Sequence, residues 1–454
     1  MMAKSLFLCL ILMLSLNEFV NGQERYDLAI ENITVIDGTG AQPKLDQTVL
    51  IKNGNIAKVS PSKNLEFEAE QKIEGRGKYL IPGLIDGHAH PAPIEETFPQ
   101  FIQFGVTSIM VPGCSICTDE YFAKMRAMAN DHRNPSPRVF HTSQHFSMEG
   151  RHPQKTYPTP NWQHRKTIFF LDDIDSIPGY VEQVAQKPII GIKVTIEDGP
   201  GPPIVPRIPQ SYLNEIIREA GKYNLEGFAH ISDNTEWAMA DSAGFQNYIH
   251  FVAVDVDFER DKKLIQNLLD RDVSWVTTLM LDKSFLYPLR PEWYQSPYIQ
   301  NYYDTQKVKE WTSPARKERV DRYIDILKAD YGVENPTLEN VSGPLAEDLK
   351  QLYDLGVNIC LGTDTSNDFI FPGYSLHEEM QLMVMGGNKP VDIIRMATLN
   401  NAKMLHVDHE LGSIEEGKMA DLIILNENPL EDIQNTLKIH SVYKNGVQQK
   451  RVDL

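Results

Sequence analysis

Short apolar, β-branched runs recur through the middle of the chain, separated by stretches whose apolar positions return every three or four residues. The runs fall at Leu84–His90, Val106–Val111, Arg138–Thr142, Gly191–Ile196, Gly227–His230, Tyr248–Phe251, Ser274–Thr278 and Ile359–Asp364. Each reads as a buried strand, and the intervening segments, Pro209–Tyr223 and Pro344–Leu355 among them, read as amphipathic helices. Eight strand–helix units over about 330 residues predict a (β/α)8 TIM-like barrel with insertions. A doubly wound open sheet is the alternative, but the Gly-rich first turn it would use to bind a dinucleotide is missing.

The two ends have a different pattern. Leu28, Ile30, Ile33 and Val35 are strand-like, and Val49-Leu50-Ile51 leads into an Asn53-Gly54 hairpin. Ala420–Leu425 is also strand-like, and Val442–Val447 contains Asn445-Gly446. Asn-Gly accepts the positive φ values of a tight hairpin turn, so both ends predict antiparallel pairs. The expected class is α/β: a barrel over residues 82–408, with a small β-sandwich built from residues 23–81 and 409–454.

Residues 1–22 belong to neither part. Lys4, the apolar stretch Leu6–Leu16 and the small residues of Val20-Asn21-Gly22 read as a signal peptide, cut after Gly22. The apolar core is shorter than the roughly 20 residues that span a bilayer, which disfavours an uncleaved anchor. The expectation is an exported protein, periplasmic or secreted. A net charge of −18 argues against nucleic acid or an anionic membrane as partner. A small-molecule substrate fits better, and nothing in the pattern requires or excludes a homo-oligomer. Of the cysteines beyond residue 22, Cys114 and Cys117 are either a disulfide of an oxidising compartment or two small loop residues. Asn32 and Asn340 are glycosylation acceptors if the source is eukaryotic.

The chemistry sits at the strand ends. His88 and His90 end the first strand, and because side chains alternate along a strand, both imidazoles point the same way. Lys193 lies in the fourth strand, His230 ends the fifth, His250 the sixth and Asp364 the eighth. Barrel strands converge on one mouth at their C-terminal ends. Four neutral imidazoles and a carboxylate there can hold one or two borderline metals such as zinc. Singly, each has a plainer role: Lys193 as a strand lysine, Asp364 as the cap of Thr365-Ser366-Asn367. Together they form a constellation. Residues 143–170, with His145, His152, Trp162 and His164, and residues 279–345, rich in Tyr, Trp and Pro, read as loops over that mouth. His152 and Trp162 are the candidate substrate-binding residues.

With these pieces in view, the chain resembles the metal-dependent amidohydrolase superfamily, in its imidazolonepropionase-like and prolidase-like branch. The resemblance rests on Pro82–His90, Leu361-Gly362-Thr363-Asp364, Gly412–Leu422 and the spacing from His230 to His250. It implies a distorted barrel, a β-sandwich from both termini and a metal hydrolase. It further implies that His88, His90 and Asp364 hold the more buried metal and that His230 and His250 hold a second. Lys193, carboxylated, would bridge the two, most simply both zinc. The expected reaction is hydrolysis of a carbon–nitrogen bond by metal-activated water, with Asp364 as general base and then acid. Candidate substrates are dipeptides, N-acyl amino acids and cyclic amides. Deamination, lactone or ester hydrolysis at the same site, and a non-catalytic ligand-binding relative are the alternatives. Ile249 and Phe251 beside His250, Ser232 after His230, and Ile109–Gly113 after the second strand all depart from the branch pattern. The expected ligands are kept while their surroundings differ.

Overall fold

The computed structural model describes residues 25–131, 135–201 and 203–451; the expected signal peptide lies outside them. Five strands open the chain: β1 (Arg25–Val35), β2 (Lys44–Lys52), β3 (Asn55–Pro61), β4 (Glu68–Glu74) and β5 (Tyr79–Pro82). The parallel strands come next: β6 (Leu84–Asp86), β7 (Val106–Val111), β8 (Arg138–His141), β9 (His145–Ser147), β10 (Ile168–Phe170), β11 (Gly191–Thr195), β12 (Glu226–His230), β13 (Asn247–Ile249), β14 (Ser274–Val276) and β15 (Asn358–Cys360). Three short strands close the chain: β16 (Leu422–Leu425), β17 (Ile439–Lys444) and β18 (Val447–Gln448).

The parallel strands form two ladders, β6-β7-β8 and β10-β9-β11-β12-β13-β14-β15. Backbone hydrogen bonds join the ladders at both edges. On one side Ile190 N donates to His141 O (3.0 Å) and Ser143 N to Gly191 O (2.9 Å); on the other Gly87 N donates to Leu361 O (2.9 Å) and Asp364 N to His88 O (2.9 Å). The third expected strand is β8, paired with β7, whereas β9 and β10 fall in residues 143–170, which were expected as loop, and β9 pairs with β10 and β11. A single apolar cluster takes Ile85, Met110, Phe228, Ile249, Val276 and Cys360 from six of these strands, with Phe140 of a seventh packed against it. A shared core drawn from so many strands is what a TIM-like barrel interior requires.

The chain ends differ from expectation in one respect. Instead of two stacked sheets, they make one mixed sheet of eight strands, ordered β18-β17-β16-β5-β1-β2-β3, with β4 also on β1. The cause lies in β1. Residues 25–31 pair with β4 and residues 34–35 with β5, and between them the register shifts near Asn32, whose φ is +57°. A bulge bends a strand and raises its twist, so β1 passes through both layers that a sandwich would have kept apart. The bent sheet closes on its own core, which includes Ile30, Val49, Ile51, Leu422, Ile424 and Tyr443.

Residues 279–345, expected as loop, are helical: Met280–Leu286, Pro291–Tyr294, Pro297–Tyr302, Thr305–Trp311 and Pro314–Tyr331 precede Leu338–Leu355. Tyr287, Tyr303 and Trp311 pack on Phe369 and Phe371, just past Asp364, which anchors the insertion beside the barrel mouth. No helix among the described residues is long and apolar enough to cross a membrane.

Candidate metal centre

β6 stops at Asp86, whose carboxylate organises the turn beyond it. Oδ1 accepts from His88 N (3.1 Å) and Thr363 N (3.1 Å), and Oδ2 accepts from the Thr363 hydroxyl (2.7 Å). One fully buried side chain therefore ties the end of the first barrel strand to the end of the last. Burial pushes the Asp86 carboxyl up to about 7, against the pull of these donors. Gly87 permits the approach, because a Cβ there would lie 2.4 Å from Asn401 Oδ1.

The result is a tight triangle. Nε2 of His88 lies 3.0 Å from Nε2 of His90, and the two stand 3.1 and 3.2 Å from Oδ1 of Asp364. Burial would raise the Asp364 carboxyl, but the imidazoles of His88, His90 and His250 hold it well below the usual carboxylate range. Burial drives His88 down to about 3, so it presents a neutral ring at physiological pH.

His230 and His250 form the second pair, with Nδ1 of His230 3.2 Å from Nε2 of His250. Their rings adjoin the first group, since the His88 and His250 centroids are 4.7 Å apart. Three of the last strands end on a left-handed residue beyond the pairing: His250 (φ +78°), Thr278 (φ +62°) and Asp364 (φ +61°). Such backbone costs about 1–3 kcal/mol per residue and clusters where geometry serves a site. Neighbours hold it in place. Trp275 Nε1 donates to His250 O (2.7 Å), and buried Glu379 accepts from Leu279 N (2.9 Å) and Met280 N (2.8 Å).

Lys193 pairs in register with Phe228, which faces the barrel core, so its side chain enters the same interior. It is 1% exposed, and its Nζ has no hydrogen-bond partner among the described residues. Burial drives its ammonium down to about 7, opposed by the charges of Asp364 and Glu197. A buried, unpaired ammonium costs several kcal/mol. Three lone-pair atoms converge in the first triangle with two imidazole nitrogens beside them, a donor set that suits a divalent metal.

Two residues enter that were not expected as ligands or neighbours of them. Glu197 is 6% exposed, and its Oε2 meets His230 Nε2 and lies 3.7 Å from His152 Nε2. Alternation along β11 carries the signal: Lys193, Thr195 and Glu197 fall at i, i+2 and i+4 on one face. Buried His145 joins through Nδ1, 3.0 Å from the Thr195 hydroxyl. Of the two candidate substrate residues, His152 stands beside this group, its ring 5.1 Å from that of His230. Trp162 is one layer out, edge-on to His145 at 5.3 Å, with Nε1 donating to Tyr157 O (3.0 Å). Cys114 and Cys117, just beyond β7, form a disulfide.

With this geometry in view, comparison with known proteins shows what the chain resembles. Residues 305–448 match the model of the Amidohydrolase family. That match covers just under a third of the chain. The chain is 20% identical to an adenine deaminase of Desulforamulus reducens over 429 residues, 94% of this chain and 58% of that one. It is 41% identical to ochratoxinase of Aspergillus niger over 96 residues, 20% of this chain and 19% of that one. Among solved structures, a Xaa-Pro dipeptidase with methionine bound in its active site superposes with a TM-score of 0.70 at 20% identity, covering 93% of this chain and 99% of that one. The chain thus spans less than two thirds of the deaminase it resembles and nearly all of the dipeptidase.

Proposed function

We propose that this protein is an exported amidohydrolase that cleaves the carbon–nitrogen bond of a small amide, dipeptide or cyclic amide. The observation that carries the reading is the meeting of His88, His90 and Asp364 with His230 and His250 around an unpartnered Lys193. His88, His90 and Asp364 would hold one metal, His230 and His250 the other, and carboxylated Lys193 would link them; zinc suits the donor set. Bound metal would supply Lewis acidity and a water that ionises near neutral pH.

The protein's own part is orientation and proton handling. Asp364, low in pKa and facing both first-strand imidazoles, takes the proton from the attacking water and returns it to the leaving nitrogen. His152, beside His230, would meet the substrate. Export rests on the pattern of residues 1–22, and the Cys114–Cys117 disulfide suits an oxidising compartment.

Deamination is the second reading, favoured by sequence similarity to an adenine deaminase along nearly the whole chain. Lactone or ester hydrolysis at the same residues stands behind it. Incubating the zinc- and bicarbonate-loaded chain with dipeptide, N-acyl amino acid and aminopurine panels in ¹⁸O-labelled water separates them. Label in a released carboxylate supports amide hydrolysis, and ammonia with label on a ring carbon supports deamination. No turnover of any panel by zinc-loaded protein would turn the reading toward a ligand-binding relative.

A further inference from the structure

We propose that Glu197 is the positioning residue of the second metal pair, holding the His230 ring so that Nδ1 faces His250 and the metal. The inference rests on the reading of His230 and His250 as metal ligands. A neutral imidazole has one N–H and one lone pair, so whichever nitrogen donates leaves the other to ligate. In this structure Nε2 of His230 meets Glu197 Oε2, and a carboxylate there takes the N–H. Nδ1 is left with the lone pair, 3.2 Å from Nε2 of His250. That spacing equals the widest edge of the His88, His90 and Asp364 triangle.

A competing assignment exists. His152, Glu197 and His230 offer ligand atoms that lie within 4.8 Å of one another, a possible metal group of their own. A cation there would need the lone pair of His230 at Nε2, and the N–H would then sit on Nδ1, pointing at Nε2 of His250. The ring cannot serve both sides as a neutral ligand. Burial favours the carboxylate role: Glu197 is 6% exposed and needs a donor, and Nε2 of His230 is placed to supply one, while Nε2 of His152 stands 3.7 Å off.

The surrounding scaffold keeps the two residues in register. Thr195 pairs with His230 across β11 and β12, and Glu197 lies two residues further along the same face. Beyond them, Arg207 joins Asp198 (2.8 Å), Asp233 (2.6 Å) and buried Glu236 (2.9 Å), tying the loop after Glu197 to the loop after His230. His250 has a weaker counterpart, its Nδ1 lying 2.9 Å from the Thr278 hydroxyl.

The test is zinc titration against a competing chelator, in bicarbonate, on the chain from residue 23 onward as wild type, Glu197→Gln and Glu197→Ala. Expected are two zinc ions per wild-type chain, with the second bound on the order of 10- to 100-fold more weakly in Glu197→Ala. Glu197→Gln, whose carbonyl still accepts from Nε2–H, should fall between them. A parallel readout is ¹⁵N NMR of the metal-free protein, in which His230 should carry its proton on Nε2. Second-ion affinity unchanged in Glu197→Ala, glutamine as damaging as alanine, or the proton on Nδ1 would each overturn the proposal while leaving the two-metal reading intact. A third zinc in the wild type that Glu197→Ala removes would reassign the trio as a metal site. Wild type without zinc would overturn both readings.

Discussion

The two imidazole pairs at the barrel mouth reach similar spacing by different means. His88 and His90 are two residues apart on one strand end, and strand alternation with the Asp86 clasp aims them at Asp364. The outer nitrogens of both, Nδ1, have no hydrogen-bond partner among the described residues. His230 and His250 come from different strands, and each outer nitrogen is held, one by Glu197 and the other by Thr278. Local backbone aims the first pair, whereas tertiary partners aim the second. The second pair should therefore be the easier to loosen without unfolding the protein.

The largest effect is expected within the first group. Asp364→Asn keeps an oxygen ligand but cannot take up a proton, so turnover should fall on the order of 10²- to 10⁴-fold with most metal retained. Metal retained with undiminished turnover would remove Asp364 from the proton path. Next comes the link between the groups. Lys193→Ala should lower zinc from two ions per chain to one or none, read by elemental analysis, and two ions in the variant would rule out a bridging role.

Finer contrasts lie within the second pair. Thr278→Ala removes a neutral hydrogen bond worth about 1 kcal/mol, so it should weaken the second zinc roughly five-fold, less than Glu197→Ala. The reverse order would mean that the hydroxyl, not the carboxylate, sets this pair. A contrast of similar size lies in pH. Carboxylation needs neutral amine, and burial places the Lys193 amine at about 7 against 10.5 for a free lysine. The neutral fraction rises with pH through that value, so at fixed dissolved carbon dioxide loading should rise roughly five-fold from pH 6 to 7. Loading that is flat over this range, tracked by metal uptake, would contradict the assignment.

The sequence shows the same asymmetry. His88-Ala89-His90 could be read directly because strand period and ligand spacing coincide. The eight strands were legible in their apolar runs, although the structure trims most of them by one to four residues. Glu197 was missed because it lies two residues past the end of β11, beyond the apolar run that marks the strand. Its partner His230 is 33 residues away, and no local pattern marks that distance. The bent terminal sheet was missed for a related reason: the bulge near Asn32 depends on β4 and β5 taking successive halves of β1, a tertiary choice.

That terminal sheet also dictates an order of assembly. β5 pairs with β1 on one side and with β16 on the other, and β16 begins only at Leu422. A chain made from its amino terminus therefore carries an open strand edge through the synthesis of the entire barrel, and an open edge invites pairing with other chains. The last thirty or so residues are the stopper for that edge. Losing them would expose a sticky seam and invite aggregation before any catalytic residue was touched.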